Sequence, residues 1–515
     1  MLNLQPLVLA TLFVRRALCL SATIPVSAPS TAPTLAPDLV SLSIEQDRWT
    51  DWAGTTEQNS FFFNTLDNLA QITGTPPRIR IGADSEDHTN FDPNVQFSEA
   101  TFPAWTSTTP YPEASDVLVG DGFYQAAQFL PPNTRVTWGL NLRANNMTAA
   151  YLEAKSLIKA FSSSAVKNAG ITLDSIEIGN EADDYGISLS DYVSRWNTFA
   201  SNITAVANLS PSGTTQFWSG AFTSSSHSTT GFSPQGIFAQ GMLSSMGGKL
   251  IKTISQHHYS GTFCSGNGDL LQNLMTKSSI RGNLTIFNSD ISAVHAQGLE
   301  YILGETNSYS CHGAPRVSNA AGAAIWALDY ALYAPQIGIS RLFFHGGIGF
   351  KYNLIQPVTL TRSTLTGLDL SPPLAPHIQA QYYTAIIIAE AIGKSSSTRS
   401  IELSISDSRT SGYAFYVGNK LTRVVLMNSV AYLSTSSTRG SIQVSLSLTG
   451  SGAPTKMTIK RLFIPHADLG SGVTWGGQTY ETSTGRVSGT LQTTTVDVSA
   501  GVSIQDSEAV LLSFQ

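Results

Sequence analysis

The sequence predicts a (β/α)8 barrel followed by a C-terminal antiparallel β-sandwich. Between residues 38 and 393, short β-rich apolar runs alternate with longer segments that have helical apolar spacing. From Ser395 onward, apolar and polar residues alternate with a period of two, and helical spacing is absent. The chain has 515 residues and is 42% hydrophobic, so it is long enough to bury both cores.

Eight candidate strands precede eight candidate helical stretches, which favours a closed barrel over an open sheet. The strands are Val40–Ile44, Arg78–Ile81, Arg135–Leu140, Ile176–Gly179, Gln216–Gly220, Thr253–His257, Tyr301–Gly304 and Arg341–His345. The clearest helices are Ala150–Phe161, Tyr192–Val206, Ala320–Tyr333 and Ile378–Ile392. Gly393 follows the last of them as a C-cap, so we place the barrel at 38–393.

The sandwich is predicted at 394–515. Its alternating runs are Ile401–Ile405, Tyr413–Val417, Leu421–Met427, Ser441–Leu448 and Met457–Phe463, separated by Gly, Ser and Asn turns. Residues 29–40 are a candidate for one additional strand of this domain.

The N-terminus predicts secretion. Leu7–Val14 is an apolar run of signal-peptide length, although Arg15 and Arg16 interrupt it, and Ala28 ends a small-residue cleavage context. We therefore interpret residues 1–28 as a signal peptide; the alternatives are an amphiphilic tail or a misassigned start. Four glycosylation sequons point the same way, at Asn146, Asn202, Asn208 and Asn283.

Composition and cysteine usage exclude several classes of partner. The net charge is −6 and no basic run is present, so we expect no nucleic-acid partner and no polyanion bound mainly through charge. We expect no membrane association, no metal site and no cofactor, and a monomer. Cys19 would leave with the leader, and Cys264 and Cys311 remain as an even pair that an oxidising compartment would allow to form a disulfide.

Reactive groups in such a barrel gather at the C-terminal ends of the strands. The fourth strand runs into Gly179-Asn180-Glu181 and the seventh into Gly304-Glu305. Strands four and seven face each other across the barrel mouth, so the two carboxylates would meet. Glycosidic cleavage needs such a pair, in which one carboxyl group protonates the leaving oxygen while the other attacks the anomeric carbon. We assign Glu181 as general acid/base and Glu305 as nucleophile.

Neighbouring residues fit supporting roles. Asn180 could bind a sugar hydroxyl, and Tyr259, at the end of strand six, could donate to Glu305 and keep it ionised. His257 and His258 are candidate pocket donors. For Arg80, support of the nucleophile and an ordinary barrel ion pair are equally good interpretations. Two sets of acidic residues receive structural interpretations: Glu177 as a charge inside the barrel, and Asp183 with Asp184 as loop or capping residues.

These motifs resemble a known group of enzymes. They are Gly-Asn-Glu at 179–181, His-His-Tyr at 257–259 and Gly-Glu-Thr-Asn-Ser at 304–308. Together they are similar to those of the clan A retaining barrel glycosidases. Within the clan, the chain resembles glycoside hydrolase family 79, the β-glucuronidases and heparanases. The loop from Tyr309 to Pro315, the starts of the first two barrel loops and the C-terminal β-domain carry that resemblance.

The resemblance implies a carbohydrate substrate with a terminal β-glucuronic acid. It implies that backbone amides of the loop Ser310, Cys311, His312 and Gly313, together with Tyr352, bind the sugar carboxylate. Glu45 and Asp84 become candidates for the sugar hydroxyls, with Glu86 and Asp87 nearby. Cys311 and His312 depart from the glycines that heparanases carry there. A Cys264–Cys311 bridge would tie the loops after strands six and seven together.

Three alternatives stay open. Heparanases cleave within sulfated chains and need basic clusters beside the cleft, so this acidic chain favours exo-hydrolysis of β-glucuronic acid, with or without a 4-O-methyl group, over endo-cleavage. A clan A glycosidase acting on a neutral sugar is the second enzymatic alternative. A non-catalytic carbohydrate-binding barrel is the third, although both glutamates are intact.

Overall fold

A computed structural model describes residues 19–515 and contains the closed eight-stranded parallel barrel that the sequence predicts. Its strands are, in chain order, Val40–Glu45, Ile79–Gly82, Arg135–Leu140, Thr172–Ile178, Gln216–Phe222, Ile251–Thr262, Glu300–Ser310 and Leu342–Gly346. The eighth strand pairs in parallel with the first and closes the ring. Trp218, Ile302 and Phe343 fill the interior, with the two aromatic rings edge-to-face at 4.9 Å.

Helices surround the barrel and bury their apolar faces against it. They are Trp49–Ala53, Ser60–Thr73, Asp121–Gln125, Met147–Ser162, Ser164–Asn168, Leu189–Ala207, Pro234–Ala239, Leu271–Met275, Lys277–Thr285, Asn288–Ala296, Gly322–Tyr333 and Tyr382–Ile392. The last two helices are buried almost all round because the C-terminal domain covers them. Gly393 caps the final helix with a left-handed φ of 68°.

Long loops on the C-terminal side of the barrel carry small sheets of their own. The loop after strand two forms a three-stranded sheet of Thr89–Phe91, Ser98–Thr101 and Asp116–Val119. The loop after strand eight forms two antiparallel pairs, Ile355–Gln356 with His377–Ile378 and Leu360–Arg362 with Asp369–Leu374. These loops build the walls above the barrel mouth.

The C-terminal domain is a sandwich of two sheets. The larger sheet contains Arg399–Glu402, Thr410–Val417, Lys420–Asn428, Lys456–Phe463, Thr474–Trp475, Thr494–Asp497 and Glu508–Phe514. The smaller sheet contains Cys19–Pro25, Ser441–Thr449 and Val502–Gln505. Side chains from both sheets form one buried apolar cluster, which is the core of the domain.

A buried ionic network joins the barrel to the sandwich. Arg281 donates to both carboxylate oxygens of Asp329, at 2.9 Å each, and to Glu402 at 2.6 Å. Tyr413 of the sandwich donates to Asp329 at 2.6 Å. Because each charge is paired at the junction, the two domains are held in one fixed arrangement.

The N-terminal strand corrects the predicted leader boundary. Cys19–Pro25 pairs in parallel with Ser441–Thr449, and Ala22 and Ile24 are fully buried in the sandwich core. Cleavage after Ala28 would remove this strand, so the prediction of a leader ending at 28 is wrong for the folded protein. The N-terminal segment that adds a strand to the sandwich is Cys19–Pro25, and not the predicted residues 29–40. Residues 1–18 of the predicted leader lie outside the described residues.

Among residues 19–515, no helix is both long enough and apolar enough to cross a membrane.

We predict that Ile24→Asp destabilises the folded protein by more than about 3 kcal/mol, because it places an unpaired charge in the sandwich core. Thr23→Asp is the matched control, because Thr23 is exposed on the opposite face of the same strand and its change should stay within about 0.5 kcal/mol. Urea unfolding of both purified variants measures the difference. Equal stabilities, with an N-terminus that starts at Pro29 in sequencing, would restore the original boundary.

Candidate active site

A cleft of about 630 Å³ opens at the C-terminal ends of the barrel strands. Most predicted site residues line it, namely Glu45, Asp84, Asn180, Glu181, His257, Tyr259, Glu305, Ser310, His312 and Tyr352. Other residues that line it were not predicted from the sequence, among them Glu113, Thr223 and His345. The cleft is thus rich in carboxylates and imidazoles, and its wall is polar.

Glu181 and Glu305 meet as the strand positions predict. A carboxylate oxygen of Glu181 and one of Glu305 lie within 4.8 Å of each other. Gly179 turns the chain out of strand four with φ 81°, and a Cβ there would clash with Leu142. Gly304 stays in extended backbone, and a Cβ there would come within 2.1 Å of Ser255 Oγ.

Glu305 is held as a carboxylate. It is 6% exposed, accepts a hydrogen bond from Tyr259 Oη at 2.8 Å, and accepts another from Arg80 Nη1 at 2.8 Å. Burial alone would raise its pKa, but the charges of His345 and Arg80 together with the Tyr259 hydroxyl hold that pKa well below its usual range. A carboxyl group that remains ionised and oriented in this way is suited to nucleophilic attack.

Glu181 is shifted in the opposite direction. Burial is the largest cause and the negative charge of Glu305 the next, and together they raise the pKa of Glu181 well above its usual value. His257 Nδ1 lies 2.9 Å from Glu181 Oε1, and burial lowers the pKa of His257 to about 4. The imidazole is therefore neutral near neutral pH and adds no positive charge that would ionise Glu181.

Arg80 binds three residues of the site and serves both roles that the sequence left open. It supports Glu305 and also forms an ion pair inside the barrel. Its fully buried guanidinium binds Glu177 at 2.6 Å and Asn180 Oδ1 at 2.7 Å, besides Glu305. Glu177 is thus the interior ion-pair partner that the sequence predicts. Because Arg80 occupies the oxygen of Asn180, the amide NH2 group of Asn180 is left to donate to a sugar hydroxyl.

His345 is a site residue that sequence reasoning missed. It lies at the end of strand eight, with Nε2 3.3 Å from Glu45 Oε1 and Nδ1 3.9 Å from Glu305 Oε2. Burial opposes its charged form, but Glu305 and Glu45 raise its pKa above the usual value. Its position at a strand end was the signal that would have found it.

The loop after strand seven has an unusual backbone. Cys311, His312 and Gly313 are all left-handed, with φ values of 59°, 66° and 86°, and the predicted Cys264–Cys311 disulfide is present. His312 and Gly313 are buried, and within residues 19–515 their backbone N–H groups donate to no protein acceptor. Buried amides without an acceptor at a cleft wall are suited to bind an anion. Gly313 itself is not part of the cleft lining.

The other acidic candidates divide between cleft and scaffold. Glu45 lines the cleft while accepting from the Ser85 hydroxyl at 2.5 Å, and Asp84 lies at the rim with a largely exposed side chain. Glu86 is fully buried behind Arg80, and Asp87 accepts the Tyr185 hydroxyl and three backbone amides. Those two residues are therefore scaffold and do not contact the cleft.

The loop after strand four also separates into two roles. Asp183 accepts from the backbone and hydroxyl of Thr223 and from Ser225 Oγ, which is the structural role that the sequence predicts. Asp184 lines the cleft instead. Among the sequons, Asn146, Asn202 and Asn208 are exposed, whereas Asn283 Oδ1 accepts a hydrogen bond from His258 Nε2 at 3.2 Å. Glycosylation at all four stays a prediction.

Glu181, His257 and Glu305 offer donor atoms close enough together to hold a metal ion. The donors are already engaged, since Glu305 binds Arg80 and Tyr259 while Glu181 contacts His257. The guanidinium of Arg80 supplies positive charge beside Glu305. The arrangement favours acid/base and nucleophilic chemistry by the two carboxyl groups.

Known proteins share this architecture. A family model described as the glycosyl hydrolase family 79 C-terminal beta domain matches residues 412–511. A curated protein of Neurospora crassa named beta-glucuronidase is 27% identical over 506 residues, covering 88% of this chain and 86% of that protein. One of Aspergillus niger with the same name is 28% identical over 495 residues, covering 89% and 86%.

Solved structures agree on the fold. The crystal structure of a 4-O-α-L-rhamnosyl-β-D-glucuronidase from Fusarium oxysporum 12S has a TM-score of 0.75 at 24% identity, covering 96% of this chain and 100% of that one. A family 51 arabinofuranosidase from Xanthomonas axonopodis pv. citri has a TM-score of 0.62 at 11% identity, covering 96% and 100%. The barrel with a β-domain is therefore common to glycosidases of several specificities.

We predict that Glu305→Gln lowers the pKa of Glu181 by about one unit or more, because the neighbouring negative charge is removed. The pKa should stay above its ordinary value, since burial is the larger cause and remains. Titration of 13C-labelled glutamate carboxyl groups by NMR measures it. The control is Glu99→Gln, an exposed carboxylate on the loop after strand two. An unchanged Glu181 pKa in Glu305→Gln would refute the electrostatic coupling of the pair.

Proposed function

Since the chain belongs to glycoside hydrolase family 79, and is therefore a glycoside hydrolase, we propose that it is a secreted, retaining exo-β-glucuronidase. It would release terminal β-glucuronic acid, with or without a 4-O-methyl group, from glycans or glycosides. The observation that carries the proposal is the pair Glu181 and Glu305, which lies within 4.8 Å and whose pKa values are shifted in opposite directions. Carboxyl groups about 5–5.5 Å apart are typical of retaining enzymes.

The first step would use this difference in protonation. Glu181 gives its proton to the glycosidic oxygen as the bond to the aglycone breaks, while Glu305 attacks the anomeric carbon and forms a glycosyl ester. Arg80 and Tyr259 orient Glu305 for the attack. The amide of Asn180 donates to the hydroxyl beside the anomeric carbon, a contact that tightens as positive charge develops on the sugar.

The second step would reverse the roles. Once Glu305 is esterified, its negative charge is gone, so the pKa of Glu181 falls and Glu181 acts as a base. It takes a proton from water, which attacks the anomeric carbon and releases the sugar with retained configuration. Glu305 leaves as a carboxylate that Arg80 and Tyr259 again stabilise. The pair therefore cycles its protons without another titratable group.

Recognition of the uronate carboxylate is assigned to neutral donors. The buried N–H groups of His312 and Gly313 and the hydroxyl of Tyr352, which lines the cleft, support this assignment. A buried Arg beside the carboxylate would add charge near Glu305, whereas amides and a phenol bind the anion without it. The two fungal β-glucuronidases that the chain resembles over most of its length support the same substrate class.

Exo action is favoured by charge. Heparanase-like endo-cleavage of sulfated chains is the alternative, but the net charge of −6 and the acidic cleft are unfavourable for a long polyanion. The Fusarium relative is named for a substrate in which rhamnose caps the glucuronic acid, so a capped terminal residue is a second candidate within the same class. The Cys264–Cys311 disulfide supports secretion, because such bonds persist in oxidising compartments.

We predict that the enzyme hydrolyses 4-nitrophenyl β-glucuronide far faster than the matching β-glucoside or β-xyloside. Glu305→Ala should lower that activity by a factor of about 10⁴ or more, because the covalent step is lost. Release of 4-nitrophenol measures both. Activity confined to a neutral glycoside would refute the uronate assignment while keeping the glutamate pair. Hydrolysis of glucuronan or heparan chains without the small glycoside would indicate endo action.

Tyr352→Phe separates uronate recognition from catalysis. Loss of the hydroxyl should raise KM for the glucuronide by about tenfold and leave the slower glucoside reaction nearly unchanged, because only the uronate uses that donor. Steady-state kinetics on the two substrates give the comparison. Equal losses on both would assign Tyr352 to the support of Tyr259 instead.

A further inference from the structure

We infer that Glu113 is a positioning residue for uronate specificity: through His312 it holds the left-handed loop that presents amide donors to the cleft. The inference rests on the proposed function and goes beyond it, because Glu113 comes from a different part of the chain, the loop after barrel strand two. Glu113 Oε1 lies 2.5 Å from His312 Nε2. Both residues line the cleft.

The loop needs such a restraint. Left-handed backbone costs a non-glycine residue about 1–2 kcal/mol, and Cys311 and His312 both adopt it in succession. Residues in this conformation persist only where the surroundings fix them, and they cluster at sites of function. Here the conformation leaves the N–H groups of His312 and Gly313 without a protein acceptor among residues 19–515. The strained backbone of Cys311 and His312 therefore leads directly into the amides that an anion would bind.

Several contacts fix the two non-glycine residues. Cys311 is tied to Cys264 by the disulfide. The His312 imidazole stacks on Phe350, with ring centroids 3.9 Å apart and planes 16° apart, and the His312 carbonyl accepts from Lys351 N at 2.8 Å. These contacts place the ring, and among residues 19–515 only the Glu113 carboxylate binds its Nε2. Of the residues that contact His312 here, Glu113 comes from the loop after barrel strand two.

Glu113 is itself anchored. The next residue, Ala114, is buried and donates its N–H to Asp47 Oδ2 at 2.8 Å. Asp47 follows the first barrel strand, so this hydrogen bond fixes the backbone beside Glu113 to the barrel. Burial alone would raise the pKa of Glu113, but the hydrogen bond from the His312 imidazole lowers it, so Glu113 remains a carboxylate. His312 therefore serves as the link between a fixed carboxylate and the amide loop.

The test compares glucuronide with glucoside hydrolysis in wild type and variants. Glu113→Ala frees the imidazole, so KM for 4-nitrophenyl β-glucuronide should rise about tenfold or more while kcat/KM for the β-glucoside stays within about twofold. Glu113→Gln keeps an oxygen for the imidazole N–H and should restore most of the selectivity. Glu99→Ala, exposed on the same loop away from the cleft, is the matched control.

A second variant removes the other half of the contact. Asn tolerates left-handed backbone, but in His312→Asn the side chain is too short to reach Glu113. This variant should lose at least the same selectivity, because it also removes the stacking on Phe350, and the double variant Glu113→Ala/His312→Asn should lose no more than His312→Asn alone, because Glu113 acts on the loop through the imidazole. Thermal unfolding of each variant establishes that it is folded.

The outcomes separate the two claims. A glucuronide-to-glucoside ratio that is unchanged in folded Glu113→Ala overturns the role of Glu113 and leaves the proposed function standing. Additive losses in the double variant also overturn it. A wild-type enzyme that hydrolyses only neutral glycosides overturns the proposed function, and with it the inference.

Discussion

The catalytic centre depends on one buried guanidinium. Arg80 is fully enclosed and binds Glu177, Glu305 and Asn180, so it joins strand two to the ends of strands four and seven. Without it, Glu177 would be a buried carboxylate without a cation, and Glu305 would lose the cation to which it is hydrogen-bonded, a change that costs several kcal/mol. The same charge keeps Glu305 ionised, and the ionised Glu305 in turn helps to keep Glu181 protonated. Arg80 therefore acts with His345 and Tyr259 on Glu305, and with burial on Glu181, to give the carboxyl pair opposite protonation states.

Much of this could be predicted from sequence because it is local. The eight barrel strands are short apolar runs, and their period and turn residues mark them without reference to the rest of the chain. Reactive side chains of a barrel gather at the strand ends, which is why Glu181, Glu305, Asn180 and Tyr259 could be expected to meet in one cleft. The disulfide followed from the even pair of cysteines, and it is present.

What the sequence did not reveal depends on contacts between distant segments. Cys19–Pro25 has the small and apolar residues of a signal-peptide end, and only its pairing with Ser441–Thr449 marks it as a strand. Glu113 lies in a proline-rich stretch without periodicity, and it reaches His312 across 199 positions of the chain. Arg80 had two equal interpretations because several partners, each from another strand, decide between them. Such contacts arise from tertiary folding and leave no local pattern.

The most direct measurement is trapping of the covalent intermediate. Wild type would be incubated with 2-deoxy-2-fluoro-β-D-glucuronyl fluoride, digested and analysed by mass spectrometry. The expected result is one fluoroglucuronyl group on the peptide that contains Glu305, with no label in Glu305→Ala. Activity should return slowly after dilution, as the glycosyl ester hydrolyses. A label on Glu181 or Glu177, or steady turnover of glucuronide with no label on any glutamate, would contradict the assignment of Glu305 as the nucleophile of a retaining enzyme.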